Sequence, residues 1–191
     1  MTLKLQPDDA LLIVDIQNDF LPGGSLGVHE GDQVIPLINA DIKEALDANI
    51  PIIASRDWHP ANHISFIPQG GRWPPHCVQN TTGAAFNEAM NLPESAIIIN
   101  KAFKADAESY SAWSGETEGG KSLPDLLKEL GVKRLIIGGL ALDYCVKATS
   151  IDAVTNGMIV LVQLQSTRAI SPETGKAAIE AMSAAGVQFI E

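Results

Sequence analysis

The sequence is poor in cysteine, in aromatic residues and in basic side chains. Its 191 residues include 2 cysteines, too few for a disulfide scaffold, and aromatic residues make up 5% of the chain. The 13 basic residues are outnumbered by 23 acidic ones, which gives a net charge of −10. Because a surface of that charge repels phosphate groups, we expect neither nucleic acid nor an anionic membrane as a partner.

The sequence also lacks a long hydrophobic run. No apolar stretch reaches the roughly 18–20 residues that a membrane helix requires. Asp8 and Asp9 stand where a signal peptide would carry basic residues, so we expect no secretion signal and a cytoplasmic location. The length suits one domain over residues 1–191, and an apolar fraction of 46% is typical of a globular chain.

Short apolar runs recur along the chain, and segments of helical periodicity lie between them. Continuous runs of this length are typical of strands buried on both faces of a parallel sheet. The predicted strands are residues 10–14, 50–54, 96–99, 134–137, 158–162 and 187–190. The predicted helices are residues 32–49, 122–130, 143–155 and 171–185. This alternation predicts an α/β fold with crossover connections.

Two long segments, 56–83 and 101–120, interrupt the alternation. Each follows a predicted strand and is rich in Gly, Pro, Ser and aromatic residues. Loops of this length are usually functional, and ligands of open α/β sheets bind beyond the carboxyl ends of the strands. We therefore expect the functional site to include both segments.

Three reactive residues stand at the ends of different predicted strands. Asp15 follows four aliphatic residues, where partial desolvation raises a carboxyl pKa and suits it to proton transfer. Lys101 is placed to keep a neighbouring acid and thiol charged. Cys145 falls in the first turn of a predicted helix, where free N–H groups stabilise a thiolate. Each alone has a structural interpretation, but together they suit acid/base, charge-partner and nucleophile roles.

The first long segment also holds a cluster of metal-ligand side chains. His59, His63 and His76 lie there together with Asp57, and the whole chain has 4 histidines. Imidazole and carboxylate groups suit Zn, Fe or Mn, so the pattern favours a divalent metal site over surface histidines in a polar loop. Cys77 has no predicted helix start beside it, and we expect a buried, inert thiol there.

Several motifs in fixed order give the chain a resemblance to a known family. The motifs are DIQNDFLPGGSL (15–26), RDWHPANHISF (56–66), WPPHCV (73–78), YSAW (110–113) and LDYCV (142–146). They resemble the nicotinamidase/pyrazinamidase family of the isochorismatase-like, or cysteine hydrolase, superfamily. The resemblance implies a three-layer α/β/α fold with a mainly parallel six-stranded sheet, a cis peptide between Leu140 and Ala141, and homo-oligomers in many members.

The same resemblance implies a reaction and a set of site residues. The reaction is hydrolysis of nicotinamide, and of pyrazinamide, to the acid and ammonia through a thioester. The implied catalytic residues are Asp15, Lys101 and Cys145, and the implied oxyanion donors are the backbone N–H groups of Ala141 and Cys145. The implied ligands of a divalent metal, Zn before Fe or Mn, are Asp57, His59, His76 and, in some members, His63. The implied substrate pocket contains Phe20, Leu26, Trp73, Tyr110 and Tyr144.

Two residues depart from the family pattern. Leu142 stands where Thr is common, which alters the hydrogen bonding of the oxyanion loop, and Gln165 stands where Asp is common.

The residues leave three alternative functions open. They are a metal-free isochorismatase-like or N-carbamoyl amidohydrolase, a zinc hydrolase in which Cys145 is a bystander, and a non-catalytic binding module on the same fold.

Overall fold

The structure of the protein, a computed structural model, describes residues 4–190. Its strands are β1 (Asp9–Val14), β2 (Ile52–Asp57), β3 (Ile97–Lys101), β4 (Arg134–Leu140), β5 (Ile159–Arg168) and β6 (Gln188–Ile190). Its α-helices are α1 (Ile35–Asp47), α2 (Leu123–Glu129), α3 (Lys147–Thr155) and α4 (Pro172–Ala185). The strands form a six-stranded sheet in the order β3-β2-β1-β4-β5-β6, and each neighbouring pair is parallel. The predicted parallel α/β sheet is confirmed.

The sheet is covered on both faces, and β1 shows how. Successive side chains of a strand point to opposite faces. Leu12 and Val14 therefore join a core with residues of α2, α3 and α4, whereas Leu11 and Ile13 join a second core with residues of α1. The two cores make the three layers that the resemblance implies. Within residues 4–190, no helix combines the length and the apolar character needed to cross a membrane.

Capping residues set the ends of two helices where the sequence predicts them. Ser122 caps α2 by accepting a hydrogen bond from the Asp125 backbone N–H. Ser171 and Thr174 form a reciprocal capping box at the start of α4, and Gly186 ends that helix in the left-handed conformation. Local side-chain chemistry is sufficient for these boundaries, which is why sequence reasoning finds them.

Most strands run further than the apolar pattern predicts. β2 continues to Asp57 and β3 to Lys101, because Asp57 pairs with Lys101 in the parallel ladder although both side chains are polar. β5 continues through a polar segment to Arg168, with a register shift against β4 between Ile137 and Gly139. Hydropathy alone ends a strand where its side chains become polar, whereas pairing with a neighbour continues it.

Two helices begin differently from the prediction. The first starts as a 3₁₀ turn at Gly31–Val34 before α1 begins at Ile35. The third starts as a π-helical turn at Leu142–Val146, and regular α-helix follows only from Lys147. We call Leu142–Val146 the Cys145 turn. Such π-turns occur often at functional sites, and amphipathic periodicity does not reveal them.

Candidate functional site

The candidate site lies beyond the carboxyl ends of four adjacent strands. Asp15 directly follows β1, Asp57 ends β2, Lys101 ends β3, and Cys145 lies in the turn after β4. Because these strands are neighbours in a parallel sheet, residues far apart in the chain meet at one edge. The cis peptide between Leu140 and Ala141, which the resemblance implies, is present just before the Cys145 turn.

Lys101 is the centre of this cluster. Its side chain is completely buried. Its Nζ lies 2.8 Å from Asp15 Oδ2 and 3.4 Å from Cys145 Sγ, and it also donates a hydrogen bond to Asp57 Oδ1. Burial lowers the pKa of Lys101, but the two carboxylates and the thiol outweigh burial and hold that pKa well above its usual value. The ammonium therefore stays charged and compensates two buried acids.

Asp15 is held in an orientation that leaves one oxygen available. Its Oδ1 accepts a hydrogen bond of 2.8 Å from Ser55 Oγ. Its Oδ2 accepts no aligned hydrogen bond from any residue that the structure describes, although the Lys101 ammonium is close. Burial raises the pKa of Asp15, as the sequence predicts, and Lys101 offsets only part of that rise. Oδ2 is thus suited to accept and return a proton.

The environment of Cys145 corrects one expectation. The sequence suggests a thiolate stabilised by a helix start, but burial raises the pKa of this thiol well above its usual value, with Lys101 lowering it only in part. Asp15 and Asp57 add to the rise because a second negative charge beside them is unfavourable. Burial and the two acids therefore favour the protonated thiol, and one carboxylate oxygen each of Asp15 and Asp57 lies within 4.8 Å of the sulfur.

Asp57, His59 and His76 form a group next to this cluster that is suited to bind a metal ion. One potential ligand atom from each lies within 4.8 Å of the others, and all three residues are buried. His59 Nδ1 is 3.0 Å from the carbonyl oxygen of Ala102, and His76 Nδ1 is 2.8 Å from that of Pro74. These contacts place the protons on Nδ1 and leave both Nε2 atoms as acceptors, which is the usual arrangement in metal sites.

Two pKa shifts agree with this donor set. Burial raises the pKa of Asp57, but Lys101 and His59 outweigh burial and hold that pKa below its usual range. Burial lowers the pKa of His76. The group therefore presents a carboxylate and a neutral imidazole, the forms in which these side chains bind metals. Sequence reasoning assigned Asp57 to the metal alone and missed its contact with Lys101.

His63 lies beside this group but outside it. Its ring is centred 4.2 Å from that of His59. Its Nδ1 is 2.7 Å from Ser65 Oγ and its Nε2 is 3.1 Å from the carbonyl oxygen of Ala107. Both ring nitrogens are thus occupied, and we leave His63 out of the ligand set that the resemblance implies.

A cavity of about 360 Å³ opens next to the sulfur. All five residues that the resemblance places in the substrate pocket line it: Phe20, Leu26, Trp73, Tyr110 and Tyr144. Ala141, Cys145, Asp57 and His76 line it as well. Sequence reasoning missed Val28 and Ile170, which have no polar or aromatic signal, and Ser25. The cavity is mostly apolar with reactive groups at one wall, the usual character of a small-molecule site.

The aromatic wall of the cavity is held together by its own contacts. Trp73 Nε1 donates a hydrogen bond of 3.0 Å to the Tyr110 hydroxyl. The Tyr144 ring packs edge-on against Trp73 and Tyr110, with centroid distances of 5.6 and 5.5 Å.

Cys77 lies outside the cavity lining and is fully buried, and burial raises the pKa of its thiol. These properties fit the inert thiol predicted for it.

Comparisons with known proteins agree with this geometry. The sequence model of the isochorismatase domain matches residues 9–191. The nicotinamidase of Escherichia coli is 39% identical over 198 residues, covering 94% of this chain and 93% of that protein. A pyrazinamidase of Pyrococcus horikoshii, solved in complex with zinc, is 45% identical with a TM-score of 0.90, covering 97% of this chain and 99% of that one.

A third relative has been solved with a small molecule bound. PnC1 from L. infantum, in complex with nicotinate, is 35% identical with a TM-score of 0.88, covering 100% of this chain and 96% of that one. The family match spans nearly all of the sequence, and the relatives match over nearly their full lengths. The chain therefore belongs to the isochorismatase family.

Proposed function

We propose that the protein is an amidohydrolase that converts nicotinamide to nicotinate and ammonia, with pyrazinamide as a second substrate. The observation that carries the proposal is the meeting of Asp15, Lys101 and Cys145 at the wall of an aromatic cavity. Flat aromatic walls suit a pyridine ring, and a thiol beside a base suits attack on an amide. The similarity to a nicotinamidase and to a protein solved with nicotinate supports this substrate.

In the first half of the proposed reaction, Asp15 is the general base. The thiol proton moves to Asp15 Oδ2, the sulfur forms a bond to the amide carbon, and the carbonyl oxygen becomes an oxyanion. The backbone N–H groups of Ala141 and Cys145 stabilise that oxyanion, and one such donor is typically worth about 3–4 kcal/mol of barrier. Cys145 N–H is suited to this because it lies in the first turn after β4, where the backbone N–H groups of a helix start lack helical partners of their own.

In the second half of the proposed reaction, Asp15 gives a proton to the leaving nitrogen and later takes one from water. Asp15 protonates the amide nitrogen, the C–N bond breaks, and ammonia leaves a thioester on Cys145. Because an amide nitrogen is a poor leaving group, this protonation matters as much as the nucleophile. Asp15 then takes a proton from a water molecule while the water oxygen attacks the thioester carbon. The C–S bond breaks, Asp15 returns the proton to the sulfur, and the carboxylic acid product is released. Lys101 stabilises the charged forms throughout.

We also propose that Asp57, His59 and His76 hold a divalent metal ion, with zinc as its identity. Two imidazoles and a carboxylate are common zinc ligands in sites that keep open positions, and a relative has been solved in complex with zinc. When bound, the ion offers a coordination position to the ring nitrogen of the substrate and so orients the ring. The Nδ1 contacts of His59 and His76 keep their Nε2 atoms directed for binding.

Ammonia release from nicotinamide tests the catalytic proposal. We expect Cys145→Ala to lower kcat by at least about 1000-fold, because no other nucleophile replaces the sulfur. Cys77→Ala is the matched control, since it removes the second buried thiol outside the cavity, and we expect it to retain most of the activity. Substantial activity in Cys145→Ala would instead favour a zinc hydrolase in which the thiol is a bystander.

Metal analysis and chelation separate the remaining alternatives. We expect stoichiometric zinc in the purified protein, loss of ammonia release after chelation, and recovery on adding zinc. A metal-free protein that hydrolyses an N-carbamoyl amide but not nicotinamide would be the metal-free amidohydrolase. Binding of nicotinate without ammonia release from any amide, in metal-replete protein, would identify a non-catalytic module.

A further inference from the structure

Asp143 is a buried acid of the Cys145 turn that the proposed reaction does not use. It lies two positions before the nucleophile, and only 3% of its surface is exposed. It is absent from the lining of the cavity, so it does not meet the substrate there. A carboxylate buried without contact to a ligand needs a reason for its position.

Its hydrogen bonds supply that reason. The Ile170 backbone N–H donates to both carboxylate oxygens, at 3.1 and 3.3 Å, and Thr174 Oγ1 donates to Oδ2. Ile170 lines the cavity, and Thr174 is part of the capping box that starts α4. Asp143 therefore joins three parts of the site wall: the Cys145 turn, the segment between β5 and α4, and the α4 N-terminus.

The Cys145 turn has few other polar contacts to keep it in place. The carbonyl oxygen of Ala141 accepts hydrogen bonds from Tyr144 N and Val146 N, both at 3.1 Å, but these lie within the turn. Leu142 stands where a hydroxyl is common in the family, and its side chain packs in the hydrophobic core. Apart from Cys145, whose sulfur contacts Lys101, Asp143 is the side chain through which this turn is hydrogen-bonded to a neighbouring element of the described structure.

We infer that Asp143 is a positioning residue: by binding Ile170 N–H and Thr174 Oγ1 it holds the sulfur and the backbone donors of the Cys145 turn in register with the substrate carbonyl. This inference rests on the proposed amidohydrolase function. It deepens that function by assigning the alignment of the nucleophile to a residue that does not touch the reacting atoms. Misplacement by about 1 Å is enough to lower a rate about 100-fold.

Three variants and one control test it. Asp143→Ala removes both carboxylate oxygens that accept hydrogen bonds, and Asp143→Asn keeps one side-chain oxygen as an acceptor. Thr174→Val removes the hydroxyl donor on α4 and leaves the sequence of the Cys145 turn unchanged. Asp125→Ala is the control, because Asp125 is also an acid beside a helix-capping serine, in α2 and away from the cavity. Thermal unfolding of each protein shows whether it is folded at the assay temperature.

The decisive measurement compares two ligands of the zinc-loaded protein. Nicotinate occupies the pocket without a bond to sulfur. Nicotinaldehyde accepts the sulfur at its carbonyl carbon, the C–S bond forms, and the thiol proton ends on the oxygen, so its binding depends on the alignment of the turn. We expect Asp143→Ala to weaken nicotinaldehyde binding by about tenfold or more and to lower kcat by about 100-fold, with nicotinate affinity and KM within about threefold.

We expect intermediate effects for Asp143→Asn and Thr174→Val and none for Asp125→Ala. Equal affinities for nicotinaldehyde in folded Asp143→Ala and the unchanged protein, or equal losses for both ligands, would overturn the inference. If Asp143→Ala does not fold, Thr174→Val and Asp143→Asn decide by the same comparison.

Failure of the proposed function is distinguishable from failure of this inference. If the unchanged protein neither binds these ligands nor releases ammonia, the proposed function is wrong. The rate of Cys145 alkylation by iodoacetamide, followed by mass spectrometry, then tests Asp143 without any substrate. A rate in Asp143→Ala and Thr174→Val equal to that of Asp125→Ala would overturn the positioning role, and a change of about tenfold would support it.

Discussion

Lys101 is the residue on which two buried acids depend. Its ammonium contacts both Asp15 and Asp57, and its own side chain has no exposed surface. Removing one partner of a buried ion pair leaves an uncompensated charge, which typically costs about 3–5 kcal/mol. We therefore expect Lys101 to serve the stability of the fold as well as its proposed role in the reaction.

Lys101→Met tests that dependence. We expect the free energy of unfolding in urea at pH 7 to fall by about 3–5 kcal/mol, together with the loss of ammonia release. Lys43→Met is the control, because Lys43 pairs with Asp47 on the exposed face of α1, and we expect its unfolding curve to change little. An unchanged unfolding curve for Lys101→Met would show that the two acids are compensated in another way.

Asp57 belongs both to the cluster around Lys101 and to the proposed metal-binding group. Its Oδ1 accepts from Lys101, and its Oδ2 lies 3.7 Å from His59 Nε2. The same carboxylate thus connects the proposed metal ligands with the proposed catalytic residues. A substitution there has consequences for both.

Asp57→Asn separates the two consequences. We expect zinc affinity, measured by competition with a chromophoric chelator, to fall at least about tenfold because a charged ligand is lost. We also expect kcat to stay reduced at saturating zinc, because Lys101 loses one of its two anionic partners. Asp106→Asn, at an exposed acid of the second long loop, is the control. Full recovery of kcat with excess zinc would limit Asp57 to metal binding.

At the scale of the elements, the approach of β4 to β1 depends on one glycine. Gly139 has φ of +127°, and a Cβ placed on it would lie 2.0 Å from the carbonyl oxygen of Val14. Val14 pairs with Gly139 in the parallel ladder and directly precedes Asp15. The close contact therefore helps to place the acid beside the Cys145 turn.

Gly139→Ala tests this contact. We expect destabilisation of more than about 4 kcal/mol, or failure to fold, because the clash is with backbone atoms that cannot rotate away. Gly157→Ala is the matched control: Gly157 also has positive φ, at +89°, but no atom of residues 4–190 outside its own neighbours lies within 4 Å of the added Cβ. We expect that control to lose only the about 1–3 kcal/mol of backbone strain. Similar losses in the two variants would contradict the importance of the contact.

At the scale of the whole molecule, α1 and the irregular part of β5 are connected by a partly buried acid. Asp41 of α1 accepts hydrogen bonds from Gln163 at 2.9 Å and from Ser166 at 2.7 Å. Burial raises the pKa of Asp41, and these hydrogen bonds offset that rise only in part. The protonated form is therefore favoured in the folded chain relative to the unfolded one.

This shift predicts a pH dependence of stability. With its folded pKa above the usual value of 3.8, Asp41 contributes stability that is complete below that value and is lost as the pH rises through the folded pKa. We expect Asp41→Asn to remove this loss, so that its free energy of unfolding relative to the unchanged protein increases between about pH 4 and pH 7. Urea unfolding across that range measures it. Asp47→Asn, at an exposed acid of the same helix, controls for the lost charge, and a parallel pH profile for both variants would contradict the prediction.

Local signals were enough for much of the architecture and for the composition of the site. The apolar runs indicated each strand because burial on both faces demands aliphatic residues. The predicted helices 122–130 and 171–185 begin at Ser122 and Ser171, which the structure shows as capping residues, because capping chemistry is confined to a few neighbouring residues. The ordered motifs, through a family resemblance, indicated the residues that line the cavity and end the strands. Cytoplasmic location and self-association stay predictions.

The hydrogen-bond partners and the pKa shifts of those residues were decided only by the tertiary structure. The hydrogen bond from Lys101 to Asp57, the contact of His63 Nε2 with the Ala107 carbonyl oxygen and the hydrogen bonds of the Asp143 carboxylate all join segments that are far apart in the chain. The raised pKa of Cys145 follows from burial and from two facing acids, neither of which is apparent from the residues next to it in the chain. Sequence patterns reflect interactions between residues that are close together in the chain, whereas desolvation and charge act between residues that are close together in space.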